Sequence, residues 1–264
     1  MTGPDYQGLL DDLEAEEAAL DRVVADLNEV EWRTATPAAG WDVRDSLAHL
    51  AFSEDLARAT LEDPSKFEAE RDALLDAGED ALVGRGRSMP GAAVLEWWRD
   101  SRAAVQAGLR SLDGRDRLLW FAGPMSATSF ATARLMETWA HGQDVRDALG
   151  EPPSVSGRLR HVADLGVRAR PFAYRARGLP VPDAPVRVEL GAPDGETWSW
   201  GDAAATAVVT GPALDFCLVV TQRRHPDDVR LEVYGPVAEQ WITIAQAFAG
   251  PPGPGRAPGQ FRDS

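Results

Sequence analysis

Along the first 150 residues the apolar positions recur at helical spacing, not strand spacing. Leu9, Leu10, Leu13, Leu20, Val23, Val24 and Leu27 fall on one side of a helix predicted over about Pro4–Asn28, with acidic residues forming a solvated face. After a loop with Pro37 and Gly40, a second helix runs from about Val43 to Leu61, with Asp42 as its N-cap and Asp45 in its first turn. Ser65–Ala81 reads as a weaker, charged helix carrying Phe67, Leu74 and Leu75, and Val83–Pro90 as a Gly/Arg-rich loop. Gly91–Leu112 is a strong helix with Val94, Trp98, Val105, Leu109 and Leu112 as its stripe, ended by Asp113-Gly114. The loop Leu119–Pro124 then feeds a long helix, Met125–Leu149, stopped by Gly150 with Pro152 and Pro153 beyond.

A break at Glu151–Ser154 precedes a change of pattern. Ser156–Arg177 still reads as one Arg-rich helix. Val186–Leu190 then alternates with period two, Ala192–Gly195 is turn chemistry, and Glu196–Trp200 pairs back as a hairpin. Thr206–Thr210 and Leu231–Tyr234 are short strands. Pro212 opens a helix reaching Thr221, and Val237–Phe248 is a closing helix. Gly250–Ser264 is a Pro/Gly-rich tail, expected to be extended or disordered. The predicted class is α+β: a helical domain over 1–150, a smaller α/β domain over 151–249 and a tail over 250–264.

Two of the helices carry a second, mixed face. On Val43–Leu61, the row Asp45, Ser46, His49, Phe52, Ser53 and Leu56 lies roughly opposite the core positions Val43, Leu47, Leu50 and Leu61. Such a row either lines a cavity with His49 pointing into it or is a surface histidine with incidental apolar neighbours. On Met125–Leu149, Glu137 and His141 are four apart and stand one turn above each other. Asp144 continues that stripe, which also holds Phe130, Ala133 and Ala148. A carboxylate over an imidazole supplies two ligands to a divalent metal and still needs a third. A hydrogen-bonded Glu–His–Asp row on the surface has the same spacing.

Composition narrows the field. With 44% hydrophobic and 26% charged residues the chain is an ordinary soluble globular protein, and its apolar runs are far short of a membrane span. A net charge of −15 argues against nucleic acid or an anionic membrane as partner. The start, Met1–Asp5, lacks a signal-peptide pattern, so a cytoplasmic location is expected. The single cysteine, Cys217, lies in the apolar run Ala213–Val220 and reads as a small buried hydrophobe. It excludes an internal disulfide and a Cys-based metal site within one chain, so any thiol chemistry would use a borrowed thiol.

Two segments, G-W-D-V-R-D-S-L-A-H-L at Gly40–Leu50 and M-E-T-W-A-H-G-Q-D-V at Met136–Val145, together resemble the mycothiol-dependent maleylpyruvate isomerase family. Thr221–Asp228 and Ala245–Arg256 resemble an actinobacterial subgroup described only as metal-binding. The resemblance implies a DinB-like, metal-binding four-helix bundle followed by a sterol-carrier-like α/β domain. It implies that His49, Glu137 and His141 ligate zinc, or another divalent metal, with a fourth position open to water or a thiol. Asp144 would support an imidazole or touch substrate, and Arg223 or Arg224, with His225 beside them, would meet the substrate. The implied activity is that of an isomerase or S-transferase in which a low-molecular-weight thiol, mycothiol, adds to an electrophilic small molecule. A thiol-independent hydrolase, lyase or cyclase using Glu54 or Asp144 as base is one alternative. A non-catalytic metal- and ligand-binding protein is another. The expected state is monomer or homodimer.

Overall fold

The computed structural model describes residues 5–77, 81–121 and 123–261, which fall into two units meeting in sequence at Ser154 and Val155. Pro4, residues 78–80 and the tail beyond 261 lie outside the described residues. No helix among the described residues is long and apolar enough to cross a membrane.

In the N-terminal unit, helix α1 (Tyr6–Val24) begins where the Asp5 carboxylate accepts a 2.7 Å hydrogen bond from the Gly8 N–H. Helix α2 (Val43–Glu62) opens with a reciprocal capping box. Asp42 accepts from the Asp45 N–H at 2.8 Å, and Asp45 accepts from the Asp42 N–H at 3.4 Å. Helix α3 (Pro64–Ala77) and helix α4 (Ala81–Arg87) pack on α2, and α5 (Gly91–Arg110) follows. A two-stranded antiparallel ladder of β1 (Arg117–Leu118) and β2 (Met125–Ser126) leads into α6 (Ala127–Leu149). Ser126 caps that helix, and Gly150, at φ 69°, ends it in the left-handed conformation a side chain would strain. The four long helices close on one another: α1 packs on α5 and α6, and α2 packs on the same two. Their shared core holds Leu20, Trp32, Leu47, Leu50, Val94, Trp98 and Val145.

Two expectations are corrected here. Val83–Pro90 is not a loop, because helix α4 continues to Arg87. Of the glycines that suggested a loop, Gly86 is a packing device: a Cβ there would stand 2.3 Å from the Cβ of Ala48 on α2. The face of α1 between its leucines is not wholly solvated either, since Glu16 and Glu17 are each only 3% exposed. Ser154 donates to Glu16 at 2.9 Å, and Gln106 Nε2 donates to Glu17 at 3.0 Å. Burial, with the Glu54 charge nearby, pushes the Glu17 carboxyl up to about 8 from its ordinary 4.5. A folded-state value raised above the unfolded one means that folding binds a proton between those limits. Glu17 therefore favours the fold below about pH 4.5 and loses that contribution as pH rises to about 8. Chemical denaturation across this window is expected to show stability falling with pH, and the Glu17→Gln protein a shallower fall.

The C-terminal unit is built on a four-stranded sheet of order β4-β3-β5-β6, formed by β3 (Val186–Gly191), β4 (Thr197–Trp200), β5 (Ala207–Pro212) and β6 (Glu232–Tyr234). The predicted hairpin is present, with Leu190 opposite Trp198. Strand β5 runs parallel to β3, with Val188 opposite Val209, and β6 runs antiparallel to β5. The segment predicted as one helix over Ser156–Arg177 is two, α7 (Leu159–Arg168) and α8 (Arg170–Ala176). Pro171 enters in the first turn of α8, where it lacks the N–H that a continuous helix would need. Helix α9 (Ala213–Val220) packs on α7, where a Cβ on Gly166 would stand 2.7 Å from the Val220 side chain. Helix α10 (Pro236–Ile244) ends earlier than the predicted Phe248. Cys217 is fully buried, its thiol donating to the Leu159 carbonyl, and burial pushes it up, away from ionisation.

Candidate metal centre

Helices α2 and α6 face each other, and their mixed stripes meet. His49 Nε2 lies 3.8 Å from Glu137 Oε2, and His141 Nε2 lies 3.5 Å from the same oxygen. One donor atom from each of the three side chains falls within 4.8 Å of the other two, close enough to share one ion. The rings of His49 and His141 stand 4.5 Å apart, centroid to centroid. All three side chains are largely but not fully covered, at 14%, 23% and 13% exposure, so the cluster has an open side.

The electrostatics suit cation binding. Burial, with the His141 ring beside it, pushes the His49 imidazole down to about 4, so it is neutral at pH 7 and offers a lone pair. Burial by itself would raise the Glu137 carboxyl. The two imidazoles and the Arg134 charge outweigh it and hold Glu137 well below the usual carboxylate range. A neutral His49 imidazole and an ionised Glu137 carboxylate are the protonation states a metal requires of those two ligands.

Asp144 stands on the far side of His141, its Oδ2 3.5 Å from Nδ1, and is 1% exposed. A carboxylate there draws the ring proton to Nδ1 and leaves Nε2 turned toward Glu137. His49 has no such support, since its buried Nδ1 meets no hydrogen-bond partner among the described residues. Trp41 steadies it instead. The indole packs at 5.3 Å on His49 and at 5.8 Å, nearly parallel, on His141. Trp41 was passed over in the sequence, although it is the second residue of the Gly40–Leu50 motif. Reading the capped turn before α2 as part of the site would have found it.

Arg223 and Arg224 belong to the C-terminal unit. They follow the end of α9, where Gln222 takes a positive φ of 59°. Arg223 Nη1 donates to the Thr221 carbonyl at 2.7 Å, and its N–H donates to the Leu218 carbonyl. Arg224 Nη1 donates to the Arg223 carbonyl, and its guanidinium lies 3.6 Å from the Phe261 ring centroid. Arg224 and His225 also line a cleft with Arg177 and Arg256. Asp228 accepts from the Gly259 N–H at 2.8 Å, so residues near the end of the described chain are tied to this loop.

A helix-rich N-terminal part carrying a His/Glu/His cluster, followed by a small sheet unit, defines a mixed α+β class of protein. The family model described as the mycothiol maleylpyruvate isomerase N-terminal domain matches residues 13–146, just over half of the chain. The chain belongs to that family. A second model, described as wyosine base formation, matches residues 182–233. Two Mycobacterium tuberculosis proteins, from strains CDC 1551/Oshkosh and ATCC 25618/H37Rv, are each 44% identical over 249 residues, spanning 93% of this chain and 96% of the relative. Both carry the description uncharacterized protein. A crystal structure of the mycothiol-dependent maleylpyruvate isomerase superposes with a TM-score of 0.58 at 14% identity, covering 85% of this chain and 93% of that one. A histidine-to-alanine mutant of that enzyme gives 0.59 at 15% identity, covering 88% and 96%. At such identities the likeness is one of fold.

Proposed function

We propose that this protein is a metal-dependent enzyme of the mycothiol-dependent isomerase or S-transferase type. Its metal is zinc, or another divalent ion, held by His49, Glu137 and His141. The observation that carries this reading is the convergence of two imidazole nitrogens and one carboxylate oxygen, donated by two separate helices, on an open-sided cluster. Two nitrogens and an oxygen are a borderline donor set suited to zinc, and three protein ligands with an open position are the catalytic arrangement. When bound, the metal would lower the pKa of a thiol at the open position so that a thiolate exists at neutral pH.

The protein's own groups do the rest. Glu137 and His49 sit in ligand-ready protonation states, and Asp144 fixes the His141 tautomer. Trp41 packs against both imidazoles and holds the ring planes in place. The thiol must come from outside, because Cys217 is buried and its ionisation suppressed. In the isomerase reaction the thiolate adds to an activated cis double bond, the resulting single bond rotates, and elimination gives the trans product and returns the thiolate. If the adduct leaves instead, the outcome is S-transfer.

Thiol dependence is the test of the reaction type. Turnover of an activated cis-alkene acid by zinc-loaded protein is expected with mycothiol and not in buffer alone; equal turnover in both sinks the reading. Asp144→Asn is expected to keep one metal per chain at saturation with an affinity roughly 10–100-fold weaker, read by competition with a chelating dye. Unchanged affinity would remove Asp144 from its supporting role. For Arg223 and Arg224 the proposed role is substrate contact. Arg223→Ala and Arg224→Ala are expected to keep stoichiometric metal while at least one raises KM or lowers kcat.

A further inference from the structure

Two arginines cross between helix α4 and the start of helix α2. From α2, Arg44 Nη1 donates to the carbonyls of Arg87 and Met89, each at 3.3 Å. From the last residue of α4, Arg87 reaches back. Its Nε donates to Asp45 Oδ1 at 3.2 Å, and its Nη2 donates to Asp45 Oδ2 and to the Gly40 carbonyl, both at 3.2 Å. One guanidinium therefore bridges two segments, the first turn of α2 and the turn that precedes it. A planar fork of fixed N–H groups suits that task better than the point charge of an ammonium. Gly86, next to Arg87, lets α4 come close to Ala48, which is the neighbour of His49.

Both bridged segments bear on the metal centre. Asp45 stands one turn before His49 on α2, and the Gly40 carbonyl belongs to the peptide that leads into Trp41. The loop also holds Trp41 from within: its N–H donates to the Ala38 carbonyl at 3.0 Å, and its carbonyl accepts from the Thr36 N–H at 2.9 Å. The Arg87 bond adds a tie from this loop to the helix pair. Helix α2 does not need Arg87 to start. Asp42 and Asp45 close their capping box by themselves, and a carboxylate in the first turn is favoured there anyway. With the Arg87 side chain 40% exposed, its ion pair with Asp45 contributes little to overall stability. Water would satisfy the Gly40 carbonyl as well as Arg87 does, but would not fix its place.

We propose that Arg87 is a positioning residue for the metal centre, clamping the Gly40–Trp41 peptide to the first turn of α2 so that the Trp41 indole stays against both imidazoles. The proposal rests on the ligand assignment above. Trp41 packs at 5.3 Å on His49 and at 5.8 Å on His141, so a displaced indole frees both rings to turn. His49 feels this most. Its Nδ1 meets no hydrogen-bond partner among the described residues, so packing rather than a second hydrogen bond sets the direction of its Nε2 lone pair. Arg87 touches neither the ligands nor the open side of the cluster in this account; it acts through Trp41.

The test is a double-mutant cycle read by metal binding. Zinc affinity is measured by competition with a chelating dye for the wild type, Arg87→Met, Trp41→Ala and the double variant. Each single variant is expected to bind zinc about 10-fold more weakly, the lower end of what loss of an outer-shell partner costs. The double variant is expected to bind no more weakly than Trp41→Ala, because the clamp then has nothing to hold. The visible bands of the cobalt(II)-loaded protein should shift in Arg87→Met, while its urea midpoint stays near that of the wild type. Should Trp41→Ala fail to fold, Trp41→Leu, which keeps more of the side-chain volume, takes its place. Wild-type affinity with an unchanged cobalt spectrum in Arg87→Met, or an equal loss with and without Trp41, overturns the clamp and leaves the ligand assignment intact. A wild-type protein that binds neither metal overturns both.

Discussion

His141→Ala is expected to lose stoichiometric metal, with a fall in affinity well beyond the roughly 100-fold that loss of an outer-shell partner costs. His141 is the hub of the cluster: its Nε2 meets Glu137 at 3.5 Å, its Nδ1 meets Asp144 at 3.5 Å, and its ring packs on His49 and Trp41. Removing it leaves two donors, His49 and Glu137, which still share a helix pair but cannot close a site. The fold should survive. His141 lies on α6, whose burial rests on Leu135, Trp139 and Val145, and not on the imidazole. Metal analysis after dialysis, beside a circular dichroism spectrum, separates loss of metal from loss of structure. Full metal occupancy in a folded His141→Ala protein would show that the assignment of ligands is wrong.

Arg134→Met is expected to cost about 3–5 kcal/mol of stability, the range found when one partner of a buried ion pair is removed. Arg134 and Glu54 are 4% and 0% exposed at the side chain, so water cannot replace the missing charge. Part of the loss comes from Glu54, left in the core with its carboxylate unanswered. Replacing both residues, Glu54→Leu with Arg134→Met, is expected to recover most of it, because the apolar pair demands no desolvation. Urea denaturation of the two single variants and the double variant completes the cycle. Strictly additive losses would show that the pair is not energetically coupled.

The long helices and the hairpin were legible because each carries its own periodicity and its own stop signals. Asp42 as cap and Gly150 as terminator are local chemistry that needs no tertiary knowledge. The Glu137/His141 pair was visible as an i,i+4 stripe, but spacing alone did not distinguish a site from a surface row. The decision came from α2 facing α6, which brings His49 to the same carboxylate oxygen. Glu17 was not legible, because a glutamate among the acidic residues of an amphipathic helix looks solvated; it is buried where α1 packs on α5 and α6, with Gln106 of α5 donating to it. Helix α4 was missed for the reverse reason. Gly84 and Gly86 lower helix propensity locally, and the close approach of Gly86 to Ala48 is a long-range contact. The break at Pro171 was in plain sight, but the Arg-rich pattern on either side of it ran on.

X-ray absorption at the zinc edge tests the central claim most directly. The protein loaded with one zinc per chain is expected to show a shell of nitrogen and oxygen donors only, at about 2.0–2.2 Å. Addition of mycothiol should bring in a single sulfur scatterer at about 2.3 Å while the imidazole signal stays. A shell that does not change with mycothiol, or one that lacks imidazole from the start, would contradict the account.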